Sequence, residues 1–212
     1  MEIKKFTFNP FQENTFVIWD DTKECIIIDP GCYEISEEKQ LVNFVNHKKL
    51  IPKILINTHC HIDHILGNEF VSKEWNLDLH LNQLEIPLLD SSDKIADTYG
   101  FYNYKKYNRK KKLLNQGDKI SFGKSTLEIL FTPGHSPGHI SLLNTDQKIV
   151  ISGDVLFNGS IGRTDLPGGD FDTLINSIKT KLFLLNDDTL VLCGHGPSTT
   201  ISKEKNTNPF LI

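Results

Sequence analysis

The sequence predicts a layered α/β fold, with β-sheets in the middle and helices outside. Two observations predict it. Short apolar or alternating runs bounded by Gly, Pro, Asn or Asp occur in both halves of the chain, and such runs are typical of strands. Each group of runs is accompanied by segments in which apolar residues recur at helical spacing. Strands and helices of this kind bury their apolar faces by packing into layers.

The first half of the chain begins with three predicted strands, at residues 4–8, 15–19 and 25–29, separated by Asn-Pro, Asp-Asp and Pro-Gly turn signals. The spacing of the apolar residues then changes to a helical one, and it predicts a helix over residues 36–48 with its apolar residues on one side. Further strands are predicted at residues 53–57 and 77–81, and further helices at residues 63–75 and 83–89.

The second half repeats this pattern without a short-period repeat or a low-complexity linker. Strands are predicted at residues 119–122, 126–131, 140–143, 148–152 and 190–193, and a helix at residues 171–185. The chain has 212 residues, of which 38% are hydrophobic and 24% charged, enough to bury one sizeable core. We therefore predict a single domain over residues 1–212.

The composition limits which binding partners and which cellular location are expected. A formal net charge of −4 makes nucleic acid an unexpected partner. No apolar run of about 18 residues is present to span a membrane, and the start has no apolar segment typical of a secretion signal. Four scattered cysteines without a Cys-x-x-Cys pair make a disulfide framework unexpected. The simplest expectation is a cytoplasmic protein that acts on a small molecule; the sequence leaves the oligomeric state open.

Seven residues with metal-binding side chains follow predicted strands, directly or after a few positions. They are His59, His61, Asp63, His64, His135, Asp154 and His195. If the chain leaves the strand at residues 53–57 extended, His59 and His61 point to the same side and can reach one ion. A change of backbone direction at the start of the next helix would then aim Asp63 and His64 at a neighbouring ion.

The number of ligands predicts two divalent ions. Three histidines (His59, His61 and His135) can hold one ion, and Asp63, His64 and His195 the other, with Asp154 suited to bridge them. Imidazole and carboxylate donors suit zinc, the expected metal, and also iron or manganese. A closed structural zinc site is the alternative, but such a site takes four ligands and often uses cysteines. Two ions about 3.5–4 Å apart activate water and polarise a carbonyl, which is the chemistry of hydrolysis.

The segment Thr-His-Cys-His-Ile-Asp-His at residues 58–64 resembles the H-x-H-x-D-H signature of the metallo-β-lactamase superfamily. His135, Asp154 and His195 match the remaining ligand motifs of that superfamily in order. The resemblance covers nearly the whole chain and implies a four-layer αβ/βα sandwich with the metals at the sheet edges. Residues 152–157 (SGDVLF) and 162–170 (GRTDLPGGD) are similar to the short glyoxalase II-like hydrolases.

This resemblance implies a thioesterase that acts on S-lactoylglutathione or a related anionic acyl thioester. A metal-bridging hydroxide would attack the thioester carbonyl, and Asp63 would hold and orient that hydroxide as the catalytic residue. Asp29 resembles an aspartate that orients a ligand histidine, and His139 is expected to have a similar supporting role. Full-length glyoxalase II has a helical C-terminal domain with glutathione contacts. Here the region of Arg163 and Asp165 replaces the usual contacts, so these two residues are predicted to bind substrate.

The segment 97–112 is rich in tyrosine, lysine and arginine and has two open interpretations. It could cover the metal cleft and attract an anionic substrate. It could equally be a solvated helix face with its aromatic rings packed underneath, and we prefer this second interpretation.

Other functions remain as alternatives. A persulfide dioxygenase with a single iron shares the ligand motifs, and a non-catalytic metal-binding module has the same fold. β-Lactamase activity is less expected, because many zinc β-lactamases carry cysteine where this chain has Asp154 and because no secretion signal is present. Nucleases of the superfamily carry an inserted domain for which 212 residues leave no room.

Overall fold

A computed structural model describes residues 1–212, and the chain divides into two compact units. The first unit comprises Met1–Leu81, Ile86–Leu113 and Ser121–Ser125, and the second comprises Asn82–Glu85, Leu114–Ile120 and Thr126–Ile212. Both helices and strands are present in each unit, as an α/β fold requires. The single-domain organisation over residues 1–212 stays a prediction.

The first sheet has six strands in sequence order, β1 (Glu2–Phe8), β2 (Glu13–Trp19), β3 (Glu24–Ile28), β4 (Ile51–Ile56), β5 (Leu79–Leu81) and β6 (Lys111–Leu113). Strands β1 to β3 form an antiparallel meander, whereas β3 to β6 pair in parallel. Parallel pairing needs crossover connections, and helices supply them. The carboxyl ends of β3 and β4 consequently lie side by side at one edge of the sheet.

Five helices accompany this sheet: α1 (Ile35–Lys48), α2 (Ile62–Ile65), α3 (Asn68–Trp75), α4 (Ile86–Asp90) and α5 (Ser92–Thr98). Helix α1 begins with a capping box formed by Glu34 and Glu37. Its buried residues Leu41 and Val45 join a core cluster with alternate residues of the strands, such as Val17 and Ile27. The period-2 alternation of the strands and the helical spacing of α1 therefore meet in one core.

The second sheet has the strand order β14-β13-β10-β9-β8-β7. Its strands are β7 (Lys119–Phe122), β8 (Ser125–Phe131), β9 (Ile140–Asn144), β10 (Ile149–Gly153), β13 (Leu190–Cys193) and β14 (Thr199–Thr200), and a small hairpin is formed by β11 (Leu156–Phe157) and β12 (Ser160–Ile161). Strand β10 is antiparallel to β9 and parallel to β13. Because β8 is antiparallel to β9, strands β8, β10 and β13 all end at the same edge.

Two helices belong to the second unit, α6 (Phe171–Ser177) and α7 (Ile201–Thr207). Helix α6 continues into a π-helical turn at Ile178–Leu182, so the helix predicted over residues 171–185 is confirmed over residues 171–182. Leu174, Ile178 and Leu182 are fully buried and pack with Val150 and Val191 of the sheet. None of the helices in the protein combines the length and apolar character needed to cross a bilayer.

Several predicted elements differ from the structure. The helix predicted over residues 63–75 is two helices, α2 and α3, with a break at Gly67. The N–H of Gly67 donates to the carbonyl of Pro30 at 2.7 Å, and a Cβ at this position would lie 2.4 Å from Cys32 Sγ. Close packing of the backbone against Pro30 and Cys32 therefore interrupts a helix that the apolar spacing alone would continue.

Short elements account for the remaining differences. Five elements were not predicted from the sequence: α5, β6, the β11–β12 hairpin, β14 and α7. Residues 83–89 form a 3₁₀ turn, Gln83–Glu85, followed by α4 instead of one helix. The strands among them have two or three residues, too few for a measurable periodicity, and α5 and α7 are helices of only seven residues each.

Candidate metal centre

The metal-binding segment of the first unit follows β4. Because β3 and β4 are parallel neighbours, Asp29 at the end of β3 lies beside residues 58–64. The ring centroids of His59 and His61 are 4.8 Å apart, and one ligand atom of each lies within 4.8 Å of the other. Cys60 is 1% exposed and Ile62 5% exposed. The predicted alternation, with the two imidazoles on one side and their neighbours packed in the core, is what the structure contains.

Asp29 receives the hydrogen bonds that orient this segment. Its Oδ1 accepts from the N–H of Thr58 at 2.7 Å, and its Oδ2 accepts from the Thr58 hydroxyl at 2.6 Å. His64 Nδ1 lies 3.2 Å from the same Oδ2, so this nitrogen must carry a proton to bond with the carboxylate. The proton-free Nε2 of His64 is then the nitrogen that can ligate a metal.

His59 is oriented through Thr58. The Thr58 hydroxyl uses its proton to bond with Asp29, so it accepts from His59 Nδ1, which lies 3.0 Å away. His59 therefore also presents a proton-free Nε2. The predicted role of Asp29 as the orienting aspartate stays a prediction, but one carboxylate is connected to two of the candidate ligands.

Asp63 is held by its backbone. Its carbonyl accepts from Asn9 Nδ2 at 2.9 Å, and the same amide donates to the carbonyl of Gly31 at 3.0 Å. The carboxylate Oδ2 of Asp63 lies 3.6 Å from His64 Nε2. The side chain of Asp63 is 14% exposed, whereas that of His64 is buried. Asp63 thus combines a pinned main chain with a carboxylate that water can reach.

A third acidic residue, Glu13, lies next to this group. It is fully buried on β2, and its Oε1 is 3.8 Å from His64 Nδ1. Burial raises the pKa of the Glu13 carboxyl well above its ordinary value, although the nearby His64 opposes this shift. The sequence offered no signal for Glu13, because a glutamate between the polar residues Gln12 and Asn14 resembles an ordinary surface residue.

The second unit brings its three candidate ligands together around one oxygen. Asp154 follows β10 and His195 follows β13, which are parallel neighbours, and His135 follows β8, which ends at the same edge. Asp154 Oδ2 lies 3.5 Å from His135 Nε2 and 3.5 Å from His195 Nε2. The bridging role predicted for Asp154 stays a prediction.

His135 has a defined tautomer. Its Nδ1 lies 2.7 Å from the carbonyl of Arg163, an acceptor, so Nδ1 carries the proton and Nε2 is available for a metal. Gly162 makes this approach possible, because a Cβ there would lie 1.9 Å from the Asp154 carbonyl and 3.1 Å from His135 Nδ1. Only glycine lets the 162–163 backbone pass between these residues.

His139 supports Asp154. Its Nε2 accepts the backbone N–H of Asp154 at 3.1 Å, so its Nδ1 carries the proton and donates to Thr132 Oγ1 at 3.1 Å. The contact is with the main chain of a candidate ligand and not with a ligand imidazole. The supporting role predicted for His139 stays a prediction, with Asp154 as the residue supported.

Arg163 and Asp165, which were predicted to bind substrate, form hydrogen bonds with each other. Arg163 Nε donates to Asp165 Oδ1 at 2.6 Å, and its NH2 group donates to Oδ2 at 2.7 Å. The hydrogen bonds from the guanidinium hold the pKa of Asp165 at about 2. Both side chains are exposed, so solvent screens the pair. Substrate contact by either residue stays a prediction.

The segment 97–112 is mostly irregular and not a helix, except for the end of α5 and the start of β6. Phe101 and Tyr107 are buried, and the Tyr107 hydroxyl accepts from the N–H of Leu79 at 3.0 Å. Arg109 donates to the carbonyl of Ser72 at 2.9 Å. The preferred interpretation was wrong about the helix and only partly right about the aromatic rings, because Phe101 and Tyr107 pack underneath the segment whereas Tyr99 and Tyr102 are exposed.

The donor set fits divalent metal ions. Within each unit the candidate ligands are imidazoles and carboxylates, which suit zinc, iron or manganese, and His59, His64 and His135 each have a defined proton-free nitrogen. Cysteine adds no donor of comparable quality, because Cys193 is 1% exposed and burial raises the pKa of its thiol to about 12. Cys60 is equally buried.

Some supporting residues were not predicted from the sequence. Asn9 was interpreted only as part of a turn, and Thr58 only as a flank of the histidine motif. A signal for Asn9 does exist, because its φ of 52° is a backbone conformation that asparagine tolerates better than most residues. The backbone angle of Asn9 is, however, known only once the chain is folded.

Comparisons with known proteins agree with this picture. The model of the Metallo-beta-lactamase superfamily matches residues 8–195. The hydroxyacylglutathione hydrolase GloC of Haemophilus influenzae is 38% identical over 212 residues, which span 100% of this chain and 98% of that protein.

Solved structures are similar over the same extent. The BLEG-1 B3 metallo-beta-lactamase has a TM-score of 0.90 at 34% identity, with 99% of each chain covered. TTHA1623 in a di-iron-bound form has a TM-score of 0.88 at 35% identity, with 98% of this chain and 100% of that chain covered. The predicted fold class is therefore confirmed.

Proposed function

We propose, from the premise that this chain belongs to the metallo-beta-lactamase superfamily, that it is a binuclear metal-dependent hydrolase of acyl thioesters. The family and its relatives already identify the chain as a metallo-hydrolase of the β-lactamase fold. S-lactoylglutathione or a related anionic thioester is the proposed substrate. Its support is the resemblance of residues 152–170 and the relative named as a hydroxyacylglutathione hydrolase.

The position of Asp154 carries the proposal. Asp154 Oδ2 lies 3.5 Å from His135 Nε2 and from His195 Nε2, longer than an ordinary hydrogen bond, so Asp154 would be able to hold an ion together with either histidine. We assign His59, His61 and His135 to one ion and Asp63, His64 and His195 to the other. Zinc is the proposed metal, and the di-iron form of TTHA1623 makes iron the first alternative. Bound ions would lower the pKa of water and polarise the thioester carbonyl.

The residues of the chain have distinct tasks in this proposal. Asp29 and the Arg163 carbonyl keep the imidazole tautomers in which Nε2 is free of a proton. Asp63, partly exposed and pinned through its carbonyl, accepts a hydrogen bond from the attacking water and orients it toward the thioester carbonyl. The departing thiolate is a good leaving group and needs no general acid of its own.

The test combines metal analysis with turnover. The purified wild-type chain should contain two divalent ions per molecule and hydrolyse S-lactoylglutathione. Asp63→Asn should fold with an unchanged melting profile before metal loading and lose turnover by about 10²-fold or more, in the range of a lost acid–base contact. Asp21→Asn, at an exposed carboxylate in the turn after β2, is the matched control and should retain full turnover.

The outcomes separate the alternatives. Unchanged turnover in Asp63→Asn would refute the role given to Asp63. A single iron per chain together with oxygen uptake on glutathione persulfide would replace hydrolysis with the dioxygenase function. A fully loaded protein that is inert toward thioesters, esters and persulfides would leave the non-catalytic metal-binding module.

A second candidate function is hydrolysis of β-lactams. The observation in its favour is the similarity to the BLEG-1 B3 metallo-beta-lactamase, which extends over 99% of both chains. A chromogenic cephalosporin assayed beside the thioester decides between them. The thioesterase proposal requires the higher kcat/KM for the thioester, and the reverse order would favour the lactam.

A further inference from the structure

Glu85 is a buried carboxylate that lies outside the candidate ligand set. It ends the 3₁₀ turn Gln83–Glu85 and is 0% exposed. Its Oε1 accepts from the Ser136 hydroxyl at 2.7 Å and from the N–H of Gly138 at 2.6 Å. Burying an acidic group is costly unless its oxygens are bonded, so both contacts are needed to offset that cost. The carboxylate of Glu85 is therefore tied to the loop over residues 132–139.

Gly138 permits an unusually close approach of the two segments. A Cβ at residue 138 would lie 2.8 Å from the backbone nitrogen of Glu85 and 2.9 Å from its Cγ. Any larger side chain at this position would push the 3₁₀ turn away from the loop. The backbone of the loop at Gly138 therefore lies directly against Glu85, with no space for water between the two residues.

The two donors flank the two histidines of the loop. Ser136 directly follows His135, whose Nε2 faces Asp154 Oδ2. Gly138 directly precedes His139, whose Nε2 accepts the backbone N–H of Asp154. One oxygen of Glu85 is consequently linked to His135 on one side and to Asp154, through His139, on the other.

We propose that Glu85 is a positioning residue that sets the placement of both His135 and Asp154 for metal binding. The inference rests on the proposed function, since it concerns the same ligands. In this role Glu85 contributes a hydrogen-bond acceptor at the Oε1 position, and its negative charge is not required. A glutamine has such an acceptor, and an alanine has none.

The test uses the full-length chain and three variants loaded with cobalt(II), whose visible absorption reports ligand geometry. Glu85→Ala should bind the metal at least about 10-fold more weakly, as loss of an orienting partner does, and should change the cobalt spectrum. Glu85→Gln should retain the wild-type spectrum and most of the affinity. All titrations are made well below the melting temperature of the metal-free protein.

Asp20→Ala is the matched control for a purely structural effect. Asp20 is a buried carboxylate that accepts from the Thr22 hydroxyl, the N–H of Lys124 and the Ser125 hydroxyl, none of which is a candidate ligand. This variant should melt at a lower temperature and yet leave the cobalt spectrum unchanged.

Each result has one meaning. A wild-type spectrum and affinity in Glu85→Ala would overturn the positioning role while leaving the proposed function intact. A Glu85→Gln variant as impaired as Glu85→Ala would overturn the assignment to a hydrogen-bond acceptor. A wild-type chain that binds no divalent ion would overturn the proposed function and this inference with it.

Discussion

Replacing Asp29 with asparagine should weaken metal binding by changing the tautomer of His64. Oδ2 of Asp29 accepts from the Thr58 hydroxyl at 2.6 Å and from His64 Nδ1 at 3.2 Å. The Oδ1 of an asparagine can still accept from the N–H of Thr58, but its amide group replaces Oδ2 with a donor. His64 would then bond through a proton-free Nδ1 and carry its proton on Nε2, where the metal should bind.

The size of the effect follows from these contacts. Two hydrogen bonds to a charged acceptor are lost, each worth about 1.5–3 kcal/mol, and part of this loss is recovered as the Thr58 hydroxyl rotates. Loss of an orienting partner typically weakens metal binding by about 10–100-fold, or about 1.4–2.7 kcal/mol. Because Asp29 has a φ of 48°, which asparagine tolerates, the substitution adds little backbone strain.

The assay is a competition titration of zinc against a chromophoric chelator, with melting of the metal-free proteins measured in parallel. Asp20→Asn is the control, since it makes the same chemical change at a buried carboxylate remote from the candidate ligands. It should lose stability and keep zinc affinity. An Asp29→Asn protein with wild-type zinc affinity would refute the tautomer reasoning, whatever its melting temperature.

Three further predictions concern pH, backbone space and thiol chemistry. Burial opposes ionisation of Asp20, but hydrogen bonds from Thr22 and Lys124 lower its pKa from 3.8 to about 2. Its ionised form should therefore contribute on the order of 1 kcal/mol above pH 4, a contribution lost as the pH falls from 4 to 2. The Asp20→Asn variant should therefore lose less stability than the wild type between pH 4 and pH 2. Equal losses of stability in the two proteins over this pH range would contradict the prediction. Gly162→Ala should displace Asp154 and lower metal stoichiometry, because its Cβ would lie 1.9 Å from the Asp154 carbonyl; two bound ions in the purified variant would argue against the crowding. Cys193→Ala should keep turnover with a stability loss of about 1 kcal/mol, because a buried thiol with a pKa of about 12 is neither ligand nor nucleophile; a large loss of turnover would show that the thiol takes part.

The candidate ligands could be predicted because their signal is local. His59, His61, Asp63 and His64 lie within six positions, and alternation along an extended chain already places the first two on one side. The strands before them are apolar runs, and the carboxyl ends of parallel strands meet at one edge. The same reasoning failed at the helix over residues 63–75, where contact of Gly67 with Pro30 and Cys32 overrides apolar spacing.

The supporting contacts could not be predicted from the sequence, and the reason is physical. Asp29 meets His64 across 35 positions, Glu85 meets Gly138 across 53, and Asn9 meets Asp63 across 54. Such pairs arise from strand register and from turns in which single atoms come within hydrogen-bond distance, and no periodicity records either. The residue types that bind metal, with their spacing, were determined by the sequence alone. Which nitrogen of His59, His64 and His135 carries the proton, and which oxygen accepts from it, was decided by the tertiary structure, because a tautomer depends on the atom that each nitrogen faces.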